Sequence, residues 1–129
     1  FWFTFIFPYK YMIESGYTGR IIERSQMIFP DYSGRVLEDL FITNAMESEK
    51  FTAVGQWWDK KGENEIDLIC IDDIEKKIVF SEIKRNAKKI DLLTLEEKKN
   101  TFLNQCSSKY RNYKTTLREL SLDDLQNNI

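Results

Sequence analysis

Three charged residues stand inside two apolar runs, and they have the types and spacing for chemistry. The runs are Glu65-Ile66-Asp67-Leu68-Ile69-Cys70-Ile71 and Ile78-Val79-Phe80-Ser81-Glu82-Ile83-Lys84. Each is apolar on both faces, the pattern of a central strand in a covered sheet. The charges set into them are Asp67, Glu82 and Lys84. An isolated charge in such surroundings is costly unless it is paired or binds a metal. If Asp73 to Lys76 forms the turn, residues whose numbers share one sum face each other. Asp67 then lies opposite Glu82, and Glu65 opposite Lys84; an odd-length turn would break the opposition. Two carboxylates opposed on one face repel, and a sequence that keeps them usually supplies a cation or a shared proton. The structural alternative is that Glu82 and Lys84 simply pair with neighbours, Glu65–Lys84 being one such salt bridge.

Composition narrows the chemistry further. The chain has 129 residues and no histidine, so Ser-His-Asp and Cys-His catalysis and zinc–histidine sites are unavailable within it. Hydrolysis would have to run on carboxylates, lysine and a hard cation. Cys70 and Cys106 lack metal-ligand spacing; Cys70 reads as a small core residue, and the pair suits a reducing, cytoplasmic setting. The formal net charge is −2, so attraction to nucleic acid would need a local basic patch. The opening Phe-Trp-Phe-Thr-Phe-Ile-Phe-Pro-Tyr is too short to span a bilayer and lacks a signal peptide's basic flank. No membrane association is expected. The start at Phe1 reads as the cut end of a longer protein.

The elements that must position the charges follow in order. Residues 1–17 suggest a helix interrupted at Pro8, and Thr18 a cap for a short helix over Arg20–Gln26 with Ile21, Ile22 and Met27 as its apolar contacts. Pro30-Asp31-Tyr32-Ser33 opens a stronger helix to about Glu49, with Leu37, Phe41 and Ala45 as its stripe, Ile42 beside it and Leu40 at its margin. Glu38 falls on that inward edge, although a carboxylate tilting to solvent is the blander reading. Phe51–Trp58 is the first strand, with one of the adjacent tryptophans turned into the core. After the two central strands, Thr94 and Glu97 form a capping box for a helix ending near Ser108. Tyr110–Leu120 reads as a fourth strand and Ser121–Asn127 as a terminal helix. The fold class is therefore α/β, a mixed sheet with helices packed on it, in the order helix, three strands, helix, strand.

Asp67, fourteen residues, then Glu82-Ile83-Lys84, with Glu38 on a preceding helix, resembles the active site of the PD-(D/E)xK nuclease superfamily, except that Ile66 stands where the superfamily's name has proline. The restriction-endonuclease-like fold of that superfamily has the same element order. The opening aromatic run, Ser33-Gly34-Arg35-Val36-Leu37-Glu38-Asp39-Leu40-Phe41, Gly55-Gln56-Trp57-Trp58-Asp59, Glu65-Ile66-Asp67-Leu68 and Ser81-Glu82-Ile83-Lys84 are similar to the C-terminal domain of the archaeal-type ATPase family. That resemblance implies a helical linker over residues 1–29, from a preceding P-loop ATPase and winged-helix part, and a nuclease-like domain over 30–129. It further implies Asp67, Glu82 and Glu38 as ligands of Mg2+ or Mn2+, and Lys84 as the ammonium that orients water or offsets developing charge. No Gly-x-x-x-x-Gly-Lys loop is present, so ATP hydrolysis by that route is not expected here.

Two functions lead, with a structural oligomerisation domain as a third option that rests only on the aromatic N-terminus. One is a metal-dependent, nuclease-like domain acting on or contacting DNA, with Lys60, Lys61, Arg85, Lys88 and Lys89 along the phosphate backbone. The other is a non-catalytic module that docks on the ATPase part or on a partner protein. The lysines fit a solvated face as readily as a nucleic-acid interface.

Overall fold

The structure is a computed structural model that describes residues 1–106 and 108–126. The chain divides into two compact units, Phe1–Arg35 and Val36–Ile129.

In the first unit Trp2–Ile6 forms a π-helical turn and Phe7–Tyr9 a 3-10 turn, followed by α1 (Lys10–Glu14). Pro8 sits at the start of the 3-10 turn, where its missing N–H leaves no bond unmade. Phe5 is the buried member of the aromatic run; it stacks on Phe1 at 4.8 Å and meets Tyr32 edge-on at 5.0 Å. Phe1, Trp2, Phe3 and Phe7 remain exposed.

The two helices expected around Pro30 are one: α2 runs from Gly19 to Glu47 with Pro30 inside it. A proline costs an interior helix one backbone bond, yet here it does not end the helix. Of the contacts expected for the early part, Ile21 is buried whereas Ile22 and Met27 are exposed. The later stripe falls as its spacing requires. Leu37 and Phe41 are buried, Ile42 and Ala45 pack beside them, and Leu40 stays outside.

The second unit is built on a four-stranded sheet ordered β1-β2-β3-β4, namely β1 (Ala53–Trp58), β2 (Glu65–Asp72), β3 (Lys77–Ile83) and β4 (Lys114–Leu120). The first three pair antiparallel and β4 joins β3 in parallel. The crossover to β4 carries α3 (Leu92–Gln105), as a parallel connection requires. Leu37 and Phe41 of α2 cluster with Leu68, Cys70, Ile83 and Leu120, while Leu95 and Phe102 of α3 cluster with Ile66, Ile69, Ile71, Ile78 and Phe80. Cover on both sides explains why β2 and β3 carry apolar residues on both faces. Trp57 lies edge-on to Phe102 at 5.7 Å and Trp58 faces solvent, so one tryptophan of the pair turns inward.

The cap of α3 and the start of the fourth strand differ from expectation. The Thr94–Glu97 capping box does not form; Asp91 caps α3, its Oδ1 accepting the N–H groups of Leu93 and Thr94 at 3.0 and 3.4 Å, and Thr94 donates its hydroxyl to Oδ2. Aspartate is the better N-cap and lies a turn earlier. The fourth strand starts at Lys114, because Tyr110 and Tyr113 are spent on packing against each other and the α3-side core. The terminal helix is α4 (Leu122–Gln126); the expected last residue, Asn127, lies outside the described residues.

Candidate functional site

The β2–β3 register places the candidate site. Pairs run from Asp72↔Lys77 to Leu68↔Ser81, so the turn is the even one spanning 73–76 and each pair keeps the expected sum. Continued by one residue, the ladder would oppose Asp67 and Glu82, but it stops short. Across β1 the register shifts: Gly55 pairs Ile69 and Trp57 pairs Ile66, so Asp67 and Leu68 together oppose the single Gln56. This is a β-bulge, which bends a strand and re-aims its side chains. Its effect is visible in the packing. Ile66 joins the α3-side core and Leu68 the α2-side core, although two positions along a regular strand would share a face. Asp67 is the residue at the crossover.

Freed from the ladder, Asp67 makes a different bond. It is 5 % exposed, and its Oδ2 accepts the backbone N–H of Ile83 at 2.8 Å. Burial raises its pKa; the Ile83 bond opposes this, repulsion from Glu82 and Glu65 reinforces it, and Lys84 draws it back. Glu38 comes in from α2, half-buried, and accepts a hydrogen bond from Gln56 Nε2 at 3.2 Å. Its pKa is raised by burial and then by the Asp67 charge, with Gln56 and Lys84 pulling the other way. Glu38, Gln56, Glu65 and Asp67, together with Trp57 and Trp58, line a cleft of about 110 Å3.

Glu82 is buried and paired on both oxygens. Lys84 Nζ lies 3.3 Å from Oε1, and Lys98 Nζ, from α3, 3.4 Å from Oε2. The Glu65–Lys84 bridge considered from the sequence is therefore not the pair that forms. Burial works against the Lys84 ammonium, but Glu82, Asp67 and Glu38 outweigh it and hold its pKa above the usual lysine value. At this end of the sheet four carboxylates, Glu38, Glu65, Asp67 and Glu82, act on one another against two ammonium groups, Lys84 and Lys98.

Glu38, Asp67, Glu82 and Lys84 influence one another electrostatically. They do not close round a metal: among the described residues no three Asp, Glu or Cys side chains are grouped to hold one. The donors nonetheless fit a hard divalent cation in kind, being carboxylate oxygens with an excess of negative charge. Lys60 and Lys61 are exposed in the β1–β2 turn, and Arg85, Lys88 and Lys89 are exposed after β3. Both basic segments leave the sheet at the carboxylate end. Two residues of the site escaped the sequence reading in these roles. Gln56 had a signal, since Gly55 within a strand marks a bulge. Lys98 had one too, lying between the buried Leu95 and Phe102 at helical spacing.

The fold and site together define an α/β domain with a mixed four-stranded sheet and an acidic, lysine-bearing cluster at one sheet end. Residues 2–90 match the profile of a family described as archaeal and bacterial proteins of unknown function. The chain belongs to that family. It is also 38% identical over 103 residues to an uncharacterized protein of Methanocaldococcus jannaschii, an alignment covering 70% of this chain and 23% of that protein. The chain thus spans about a quarter of that relative's length. No solved structure matches it. Among the described residues no helix is long and apolar enough to cross a membrane.

Proposed function

We propose that this is a nuclease-like domain whose sheet-end cluster takes a divalent cation, Mg2+ or Mn2+, and acts on the phosphodiester backbone of DNA. The observation that carries the reading is the charge balance at the site. Glu38, Glu65, Asp67 and Glu82 stand against two lysines, with Asp67 repelled by Glu82 and Glu65 and Glu38 repelled by Asp67 and Glu65, an excess that one divalent ion would neutralise. Asp67 and Glu82 are the primary oxygen donors, and Glu38 contributes directly or through water. The chemistry such a cation supplies is polarisation of a phosphodiester oxygen and acidification of a bound water. Lys84 remains an ammonium and offsets negative charge gathering on the phosphate. Lys60, Lys61, Arg85, Lys88 and Lys89 are suited to the flanking phosphates. By resemblance the domain works beside an N-terminal ATPase of a longer chain, in the cytoplasm.

A second reading, a docking module without catalysis, draws support from one observation: both Glu82 oxygens are already paired with lysines. The discriminating experiment is cleavage of linear and supercoiled DNA with Mn2+ and Mg2+, using Lys84→Ala purified identically. Metal-dependent cleavage by the parent alone supports the nuclease reading. Equal cleavage by both proteins removes Lys84 from the chemistry. Mn2+ binding without cleavage by either favours the docking module, and neither binding nor cleavage refutes the metal site.

A further inference from the structure

A cavity of about 550 Å3 lies on the α2 side of the sheet, wholly within the second unit, and shares no lining residue with the carboxylate cleft. We propose that it binds a small organic carboxylate, whose apolar body rests on the sheet and whose head group meets Arg118.

The strand register builds the floor. Leu68 pairs with Ser81 and Ser81 with Arg118, so these three form one row across β2, β3 and β4 on a common face. Cys70 and Val79 form the next row. Leu68, Cys70 and Val79 belong to the α2-side core, as does Leu120, two residues beyond Arg118, whereas Leu117 packs on the α3 side. Arg118 therefore stands on the face that α2 covers. Its charge also reaches inward: burial pushes the Cys70 thiol up to about 11, and Arg118 pulls against that from two strands away. Phe41 and Phe51 extend the apolar wall, and Ser81, only 1 % exposed, adds a buried residue with a hydroxyl.

Charge selects the ligand. Arg118 and Lys50 line the cavity against one carboxylate, Glu47, which leaves one unit of positive charge. Among the described residues neither cation has a salt-bridge partner. A guanidinium with no carboxylate of its own, set beside an apolar floor, matches a monoanion with an apolar body. Its planar fork suits the two oxygens of a carboxylate. The volume falls in the range of roughly 300–1,000 Å3 usual for small-molecule sites.

The test titrates the protein with octanoate and with its neutral counterpart octanol, read by heteronuclear NMR at the backbone amides. Octanoate should shift the amides of Leu68, Cys70 and Ser81 along one saturable curve. Arg118→Gln should weaken octanoate on the order of tenfold, the size of one charge-assisted hydrogen bond, and Arg118→Lys should restore part of the loss. Arg118 is exposed, so its replacement leaves the core intact. Octanol, without a charge, should bind the parent and Arg118→Gln alike. The control Arg111→Gln removes an exposed arginine that does not line the cavity and should change nothing. The inference is overturned by no saturable shift at those amides, by octanoate affinity unmoved in Arg118→Gln, or by an equal loss for octanol or in Arg111→Gln. None of these results touches the nuclease-like reading of the sheet end.

Discussion

Asp67 can be removed in two ways that separate its charge from its hydrogen bond. From the sequence alone, Asp67→Ala should relieve repulsion between opposed carboxylates and raise the melting temperature of the metal-free protein. The structure reverses that expectation. Asp67 Oδ2 accepts the Ile83 N–H, and alanine would leave a buried donor without a partner at a cost of about 1–3 kcal/mol. Relief of like-charge repulsion between neighbouring strands returns only about 0.2–1 kcal/mol. The net is a loss of about 1–2 kcal/mol, or on the order of 4–8 °C in melting temperature for a domain of this size. Asp67→Asn keeps an acceptor and discards the charge, so it should melt at or above the parent at pH 8. The pH dependence follows from the direction of the shift. The folded-state pKa of Asp67 lies above its ordinary 3.8, so the folded chain holds the proton more tightly than the unfolded one. The stability this contributes is full below about 3.8 and is lost as pH rises through the raised value. The advantage of Asp67→Asn over the parent should therefore grow from pH 4 upward and then level off. Differential scanning fluorimetry in chelator from pH 4 to 8 reads all three proteins. An alanine variant more stable than the parent at pH 8, or an asparagine advantage that ignores pH, would refute the reasoning.

Two further outcomes test the fold that positions the site. Trp57→Ala should cost about 2–3 kcal/mol by removing the ring packed on Phe102, whereas Trp58→Ala should leave the thermal melt nearly unchanged. Asp91→Ala should lower the melting temperature more than Thr94→Ala, since the α3 amides bond to Asp91; the reverse order would restore the capping box.

What could be read from the sequence depended on how local its cause was. The β2–β3 register is the one that an even Asp73–Lys76 turn gives, but the sequence by itself admitted an odd turn as well. The helical stripe of Leu37 and Phe41 was local. The continuity of α2 through Pro30 was not, since a proline signals a break unless the rest of the helix outweighs one lost bond. The bulge at Asp67 and Leu68 was hidden for a different reason. It is a property of β2 against β1, and a regular alternation read along β2 alone cannot register an extra residue.

The same distinction explains the site. Glu82 and Lys84 are two residues apart at the end of β3, a spacing that puts both on one face and brings them within reach of each other. Asp67, Glu38 and Lys98 reach the cluster from a bulged strand and two helices, α2 and α3, that pack on opposite sides of the sheet. Short-range pattern therefore captures the acidic pair and its lysine but not what neutralises them. In this chain a lysine from α3 fills part of that need. With both oxygens paired, Glu82 is not left as an isolated buried charge, which would be far costlier than a paired one.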